Sequence, residues 1–372
     1  MKQNEKLLLT SFIFTIFVVW LHAGEPLLSY VPGQVAVPGF FMLSGYLFMK
    51  GIPSDDAAAE KEAVRGKLKR RVNTLVVPYL LWNAIYFVIY LVTGRAQIGE
   101  IFEAVFLYRC NPVFWYMFQL ILITVLAPVI YYIMKKGRGA ALILLAAIFT
   151  LAVLYAKLPF HYCNEDALFY YCLGGYLMLR ERYGAQTADR CRPAHCEDRS
   201  FSSFQSGECE GTSECEQDPE RIRPAYESLE KQDRNSGAGG TCLPSVLCIG
   251  ATAVFLLVRG VLPADLRNIC EVGYRAAGAL AVYFLVELVY EKKGGIEVRP
   301  WMKVNFFVYA THYMIIRIIW ALETAAGLNG NQTANVITYL MMPAICIGTA
   351  YGLSVIMKKY VPKVYSVLTG GR

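Results

Sequence analysis

Apolar stretches long enough to cross a bilayer recur along almost the whole chain, and this pattern constrains the fold more than anything else in the sequence. A helix needs ~20 predominantly apolar residues to span the hydrocarbon core. Ten such spans are expected, at roughly 7–28, 34–50, 74–93, 114–134, 139–157, 166–180, 243–261, 270–290, 304–322 and 334–357. The second and sixth are short, and the sixth carries Gly174 and Gly175. In hydrocarbon the backbone must satisfy its own hydrogen bonds, so every span is expected to be helical. Charged residues make up only 17% of the chain, whereas a soluble domain carries about a quarter. The expected fold class is therefore all-α, a polytopic membrane bundle of about ten transmembrane helices. Lys2 and Lys6 before the first apolar run look like the start of a signal peptide. No small-residue cleavage site follows, and a second span comes at once, so the run is read as a permanent helix.

The connecting segments orient the bundle. With the N-terminus inside, the inner segments hold Lys50, Lys61, Arg65, Lys67, Lys69, Arg70 and Arg71, then Lys135, Lys136 and Arg138. Later inner segments hold Lys292, Lys293, Arg299 and Lys303, and the tail holds Lys358, Lys359 and Lys363. The outer segments hold little beyond Arg95, Arg109, Arg259 and Arg267. Lys and Arg collect on the cytoplasmic side of membrane proteins, so both termini are expected to be cytoplasmic. Most of the net charge of +7 then reports topology, and no nucleic-acid partner is implied.

Three regions follow: a first membrane half at 1–180, a polar insert at 181–242 and a second membrane half at 243–372. The insert is rich in Arg, Glu, Ser and Gly and has no apolar periodicity, which reads as a disordered cytosolic loop. Cys191, His195, Cys196, Cys209 and Cys215 fall within it. Their spacing is not the paired C-x₂₋₄-C pattern of finger-like zinc sites, and no metal site is assigned. Cys110 and Cys163 fall in outer segments, with nothing in the sequence to support a bridge.

Polar side chains inside membrane spans are costly and tend to be functional. His22 lies at the end of the apolar run "SFIFTIFVVWLH", and His312 lies within "NFFVYATHYMIIR". Asn83, Gln119, Arg275, Glu287 and Arg317 are further polar groups at depth. The plain alternative is that each histidine merely hydrogen-bonds neighbouring helices together. Against it, the chain has only four histidines and two of them lie in spans.

Five blocks, in this order, carry a resemblance: "VVWLHAG", "VPGFFMLSGYLF", "KLKRRVNTLVVPYLLWN", "VFWYMFQLILITVLAPVI" and "FFVYATHYM". Together they resemble the acyltransferase family 3 membrane O-acyltransferases of bacteria. The resemblance implies a ten-helix bundle in the bacterial plasma membrane that takes an acyl group from cytosolic acyl-CoA to a hydroxyl, usually on a glycan or other envelope component. It gives His22 the place of a catalytic first-helix histidine and His312 that of a frequent histidine in the ninth span. Arg70 and Arg71 match a basic pair thought to meet the acyl donor, and Phe41, Ser44 and Gly45 match the FFxxSG block. The family often has arginine eleven residues before the first histidine, where this chain has Ser11. With no esterase-like segment in these residues, transfer to the acceptor is expected to be completed by the membrane part.

The residue types suit this chemistry. Attack of a hydroxyl on an acyl carbonyl needs a base for the hydroxyl proton, and imidazole titrates in the right range. His22 is expected to be that base, with His312 orienting the acceptor or stabilising a charged intermediate. Coenzyme A carries several phosphate charges, which Lys67, Lys69, Arg70 and Arg71 suit through charge-assisted hydrogen bonds. The same cluster is also what the positive-inside rule alone would produce. Ser44 or Asn83 is the expected oxyanion donor or acceptor contact. No bound cofactor is expected, acyl-CoA being a co-substrate, and acetyl is the simplest acyl group. A transporter or flippase of lipid-linked sugars is the main alternative, but such proteins often show inverted repeats, and no second copy of the HAG or SGYL segment is present. A sensor or scaffold is the third reading, resting only on the insert.

Overall fold

The computed structural model describes residues 2–24, 26–53, 56–156, 165–190, 243–328 and 331–371. The insert's metal-capable residues and Cys163 lie outside them. Among the described residues the chain is helical with no strand. The helices are α1 (Lys2–His22), α2 (Pro26–Met49), α3 (Ala57–Arg71), α4 (Val77–Val92), α5 (Ile101–Phe106), α6 (Trp115–Ile133), α7 (Gly139–Ala156) and α8 (Glu165–Arg190). They continue with α9 (Leu243–Val261), α10 (Ala264–Lys292), α11 (Asn305–Ala325), α12 (Gln332–Tyr360) and α13 (Pro362–Thr369). Seven helical stretches among the described residues are long and apolar enough to cross a membrane. The expected spans at 114–134 and 139–157 fall on one of these, Pro112–Leu151, bent where Gly137 takes a φ of 76°.

Burial explains the position of α1. Leu7, Leu9, Phe12, Phe14, Val18 and Val19 are all buried, and they occupy several faces of the helix. A helix apolar all round sits inside a bundle, and α1 packs on α2, α10, α11 and α12. It is shorter than the expected 7–28 span. It stops at His22, and Gly24 follows with a φ of 101°, a left-handed conformation that glycine adopts at no steric cost and that ends helices. His22 is thus the last helical residue of α1.

The basic segment read as an inner loop is a helix. Asp56 caps α3 by accepting a hydrogen bond from the backbone N–H of Ala58 at 2.8 Å. α3 then runs into α4 through a wider turn at Val72–Val76. Glu60, only 4% exposed, accepts hydrogen bonds from Tyr131 Oη at 2.7 Å and Lys135 Nζ at 2.7 and 2.8 Å. A buried carboxylate needs such partners, and here they pin α3 to the far end of α6.

Two further segments depart from the expected loops. After α4 the chain does not simply cross to α6. It turns back along α4, where Tyr79 Oη donates to the Phe106 carbonyl at 2.7 Å and Asn83 Nδ2 to that of Val105 at 3.2 Å. Tyr79 precedes Val92 by thirteen residues, about 20 Å of helix at 1.5 Å per residue. At the other end of the chain, α13 packs back on α4. Trp82 Nε1 donates to the Leu368 carbonyl at 3.0 Å, and the Tyr365 ring sits 5.5 Å from that of Phe307.

The tightest helix pair is α2 with α8. A Cβ built on Gly45 would strike the carbonyl oxygen of Tyr171, and one on Gly174 would strike that of Met42. Small residues permit this backbone approach between membrane helices. Gly174→Ala is expected to destabilise the protein by about 1–3 kcal/mol through overpacking. Gly348→Ala, at a position with nothing within 4 Å, should not. Thermal unfolding in detergent checks the pair.

Candidate active site

A cavity of about 720 Å³ lies between α1, α2, the α3–α4 helix, α6 and the start of α11. That is within the usual range for a small-molecule site, ~300–1,000 Å³. Helical spacing decides which side chains reach it. On α1 they are Asn4, Leu7, Leu8, Ser11 and Thr15, whose spacings of three and four put them on one face. Asn4 to Thr15 spans about 17 Å along the axis at 1.5 Å per residue. His22 stands seven residues beyond Thr15, two turns further along the same face.

On the α3–α4 helix the lining residues are Lys67, Arg70, Arg71, Thr74 and Leu75. These positions, i, i+3, i+4, i+7 and i+8, again mark one helix face. Lys69, two residues from Lys67, falls on another face and is not in the wall. Lys67 Nζ donates to the backbone carbonyls of Lys50 at 2.7 Å and Leu47 at 3.3 Å, and so caps the end of α2. Arg71 Nη2 donates to the carbonyl of Ser44 at 3.5 Å. The Ser44 hydroxyl lies 3.5 Å from that of Tyr116, and both residues line the cavity. Asn83 does not line it. Its side chain is fully buried and ties down the segment after α4.

The third wall comes from the start of α11. Lys303, just before this helix, adds a fourth cation to the lining, and Asn305, Phe306 and Tyr309 follow. Asn305 Nδ2 donates to Ser11 Oγ at 2.8 Å, joining α11 to α1 across the cavity wall. None of these residues was a site candidate from the sequence. Tyr116 and Tyr309 nevertheless sit inside two of the quoted blocks, "VFWYMFQ" and "FFVYATHYM". Lys303 read only as an inner-loop charge.

His312 follows Tyr309 by one turn. Its ring is fully buried, and its Nδ1 lies 2.7 Å from the Tyr309 carbonyl. The His22 ring centroid is 5.3 Å from that of His312, and the Tyr309 ring centroid is 5.9 Å from that of His312. The structure therefore brings together two histidines that lie 290 positions apart. Neither lines the cavity. The Tyr309 ring, 5.9 Å from that of Tyr116, links the cavity's aromatic lining to the pair.

Residues 12–187, just under half of the chain, match the family model described as an acyltransferase domain, so this stretch is similar to acyltransferase family 3. No curated relative and no solved structure matches the chain. The matched stretch contains His22, Ser44, Arg70, Arg71 and Tyr116. His312, Lys303 and Asn305 lie beyond it and join the site through the fold alone. The chain thus has several apolar helices long enough for a multi-pass membrane protein, together with a stretch that matches an acyltransferase domain.

The lining suits an elongated ligand with an anionic end, since its cations are joined by a largely apolar wall. If that ligand is coenzyme A, its binding should weaken about tenfold or more in the Arg70→Gln, Arg71→Gln double variant, a hydrogen bond to a charged group being worth ~1.5–3 kcal/mol. Lys69→Gln should leave it within about twofold, which calorimetric titration of the purified protein would check.

Proposed function

We propose that the protein is an integral-membrane acyltransferase that moves an acyl group, acetyl being the simplest, from cytosolic acyl-CoA to a hydroxyl. The acceptor is a carbohydrate or another component of the bacterial cell envelope. In this reading the chain crosses the plasma membrane ten times with both termini cytoplasmic. One observation carries the proposal: a cavity with a basic lining, built largely from the matched stretch, runs along the face of α1 that ends at His22.

The nucleotide phosphates would meet Arg70, Arg71 and Lys303, with Lys67 held against the end of α2. The pantetheine arm would follow the α1 face past Leu8 and Ser11, and the thioester would leave the cavity beyond Thr15 and Tyr309 toward the histidines. There the acceptor hydroxyl would give its proton to His22 as its oxygen attacks the thioester carbonyl. The tetrahedral intermediate would expel the thiolate of coenzyme A, which takes a proton back from the imidazolium. The acyl ester and free coenzyme A would leave on separate routes. Burial of the pair would keep water from competing with the acceptor.

Mass spectrometry of envelope glycans from cells with and without the protein tests the reading. Loss of an ester-linked acyl group is expected, and unchanged glycans together with no acyl-CoA turnover by purified protein would favour transport instead. His22→Ala should insert normally but lose about 10²-fold or more in transfer, the usual size of a lost general base. His22→Gln should behave alike, because an amide can bridge helices but accepts no proton at neutral pH. Near wild-type acylation by the Gln variant at normal protein levels would reduce His22 to a helix contact.

A further inference from the structure

Four features single out His312. Its ring is fully buried, its Nδ1 faces a backbone carbonyl, its Nε2 has no hydrogen-bond partner, and the His22 ring is its neighbour. A carbonyl can only accept a hydrogen bond, so the 2.7 Å contact to Tyr309 requires the proton of neutral His312 to sit on Nδ1. Nε2 then carries the lone pair. A buried acceptor left without a donor costs free energy, so such an atom in a membrane helix calls for a donor close by.

We propose that His312 is the positioning residue of a two-histidine relay, in which its Nε2 accepts a ring N–H of His22. The ring centroids are 5.3 Å apart and the planes are tilted by 42°. At that separation a His22 ring turned so that its N–H points at Nε2 would bring the two nitrogens within the ~2.7–3.2 Å of an ordinary hydrogen bond. The Tyr309 carbonyl orients His312, and His312 orients His22 so that its other nitrogen presents a lone pair to the acceptor. When that nitrogen takes the hydroxyl proton, His22 becomes an imidazolium whose second N–H already has an acceptor. The proton returns to the departing thiolate, and His312 neither gains nor loses one. The arrangement does the work that a carboxylate does behind many catalytic histidines, but with no second charge buried at membrane depth. His312 itself is enclosed, so the substrate meets His22.

The relay rests on the acyltransferase reading, but its geometry is tested without turnover. With only four histidines in the chain, ¹⁵N-histidine labelling of the full-length protein in lipid nanodiscs permits assignment by single substitutions. Solid-state NMR should show His312 protonated at Nδ1, with an Nε2 resonance that shifts to that of a free imine nitrogen in His22→Ala. A His312 protonated at Nε2, or an Nε2 signal indifferent to His22→Ala, would overturn the relay even if the protein proves to be an acyltransferase. A second arm separates positioning from packing. Gln at 312 offers an amide oxygen to the His22 N–H and should retain acyl-CoA turnover within about tenfold. His312→Leu offers none and should lose roughly 10²-fold, the scale of a misdirected base. Equal losses in the two variants, at equal thermal stability, would make His312 a space-filling residue. If neither wild type nor variants turn over acyl-CoA, the function fails while the NMR result stands on its own.

Discussion

The contact between α1 and α11 is the seam on which the site depends. It begins where Asn305 donates to Ser11 and ends where the rings of His22 and His312 approach to 5.3 Å. Polar side chains at this depth have no water to turn to, so each is matched to a protein group or held ready for a ligand. The cavity opens beside the seam because α2 and α6 turn Ser44 and Tyr116 toward it, and because α3 brings its basic face across it. Moving α1 relative to α11 would at once misalign the cavity lining and the histidine pair.

The basic residues illustrate how one feature serves two physical roles. Lys and Arg on the inner side of a membrane protein need no function beyond setting orientation. Here the helical spacing of α3 sorts them, with Lys67, Arg70 and Arg71 facing the cavity and Lys69 turned elsewhere. The sorting holds because α3 cannot rotate freely. The buried Glu60 carboxylate fixes one end of it to Tyr131 and Lys135, and the other end continues into α4. Side-chain hydrogen bonds from Tyr79, Asn83 and Trp82 to backbone carbonyls in turn hold α4 against the segment after it and against α13.

Much of this was legible in the residues, and the part that was not has a definite cause. Apolar length alone pointed to a bundle of helices long enough to cross a membrane, because the bilayer imposes that length on any helix that crosses it. The ordered blocks around His22, Ser44, Arg70 and Tyr116 pointed to the acyltransferase domain that the family match then supported over residues 12–187. The one-dimensional pattern also contained the face of α1, since Ser11, Thr15 and His22 follow helical spacing. It did not contain what faces that stripe. Asn83 looked as suitable a polar group as any, yet tertiary packing spends its amide on Val105. Lys303 and Asn305 looked like a loop charge and a helix start, yet packing turns both to the cavity and sets Asn305 against Ser11. Helical periodicity is a local property carried by every residue, so the chain itself determines which side chains share a face. Which faces meet depends on contacts between segments hundreds of residues apart, and only the folded bundle could decide that His22 would stand beside His312.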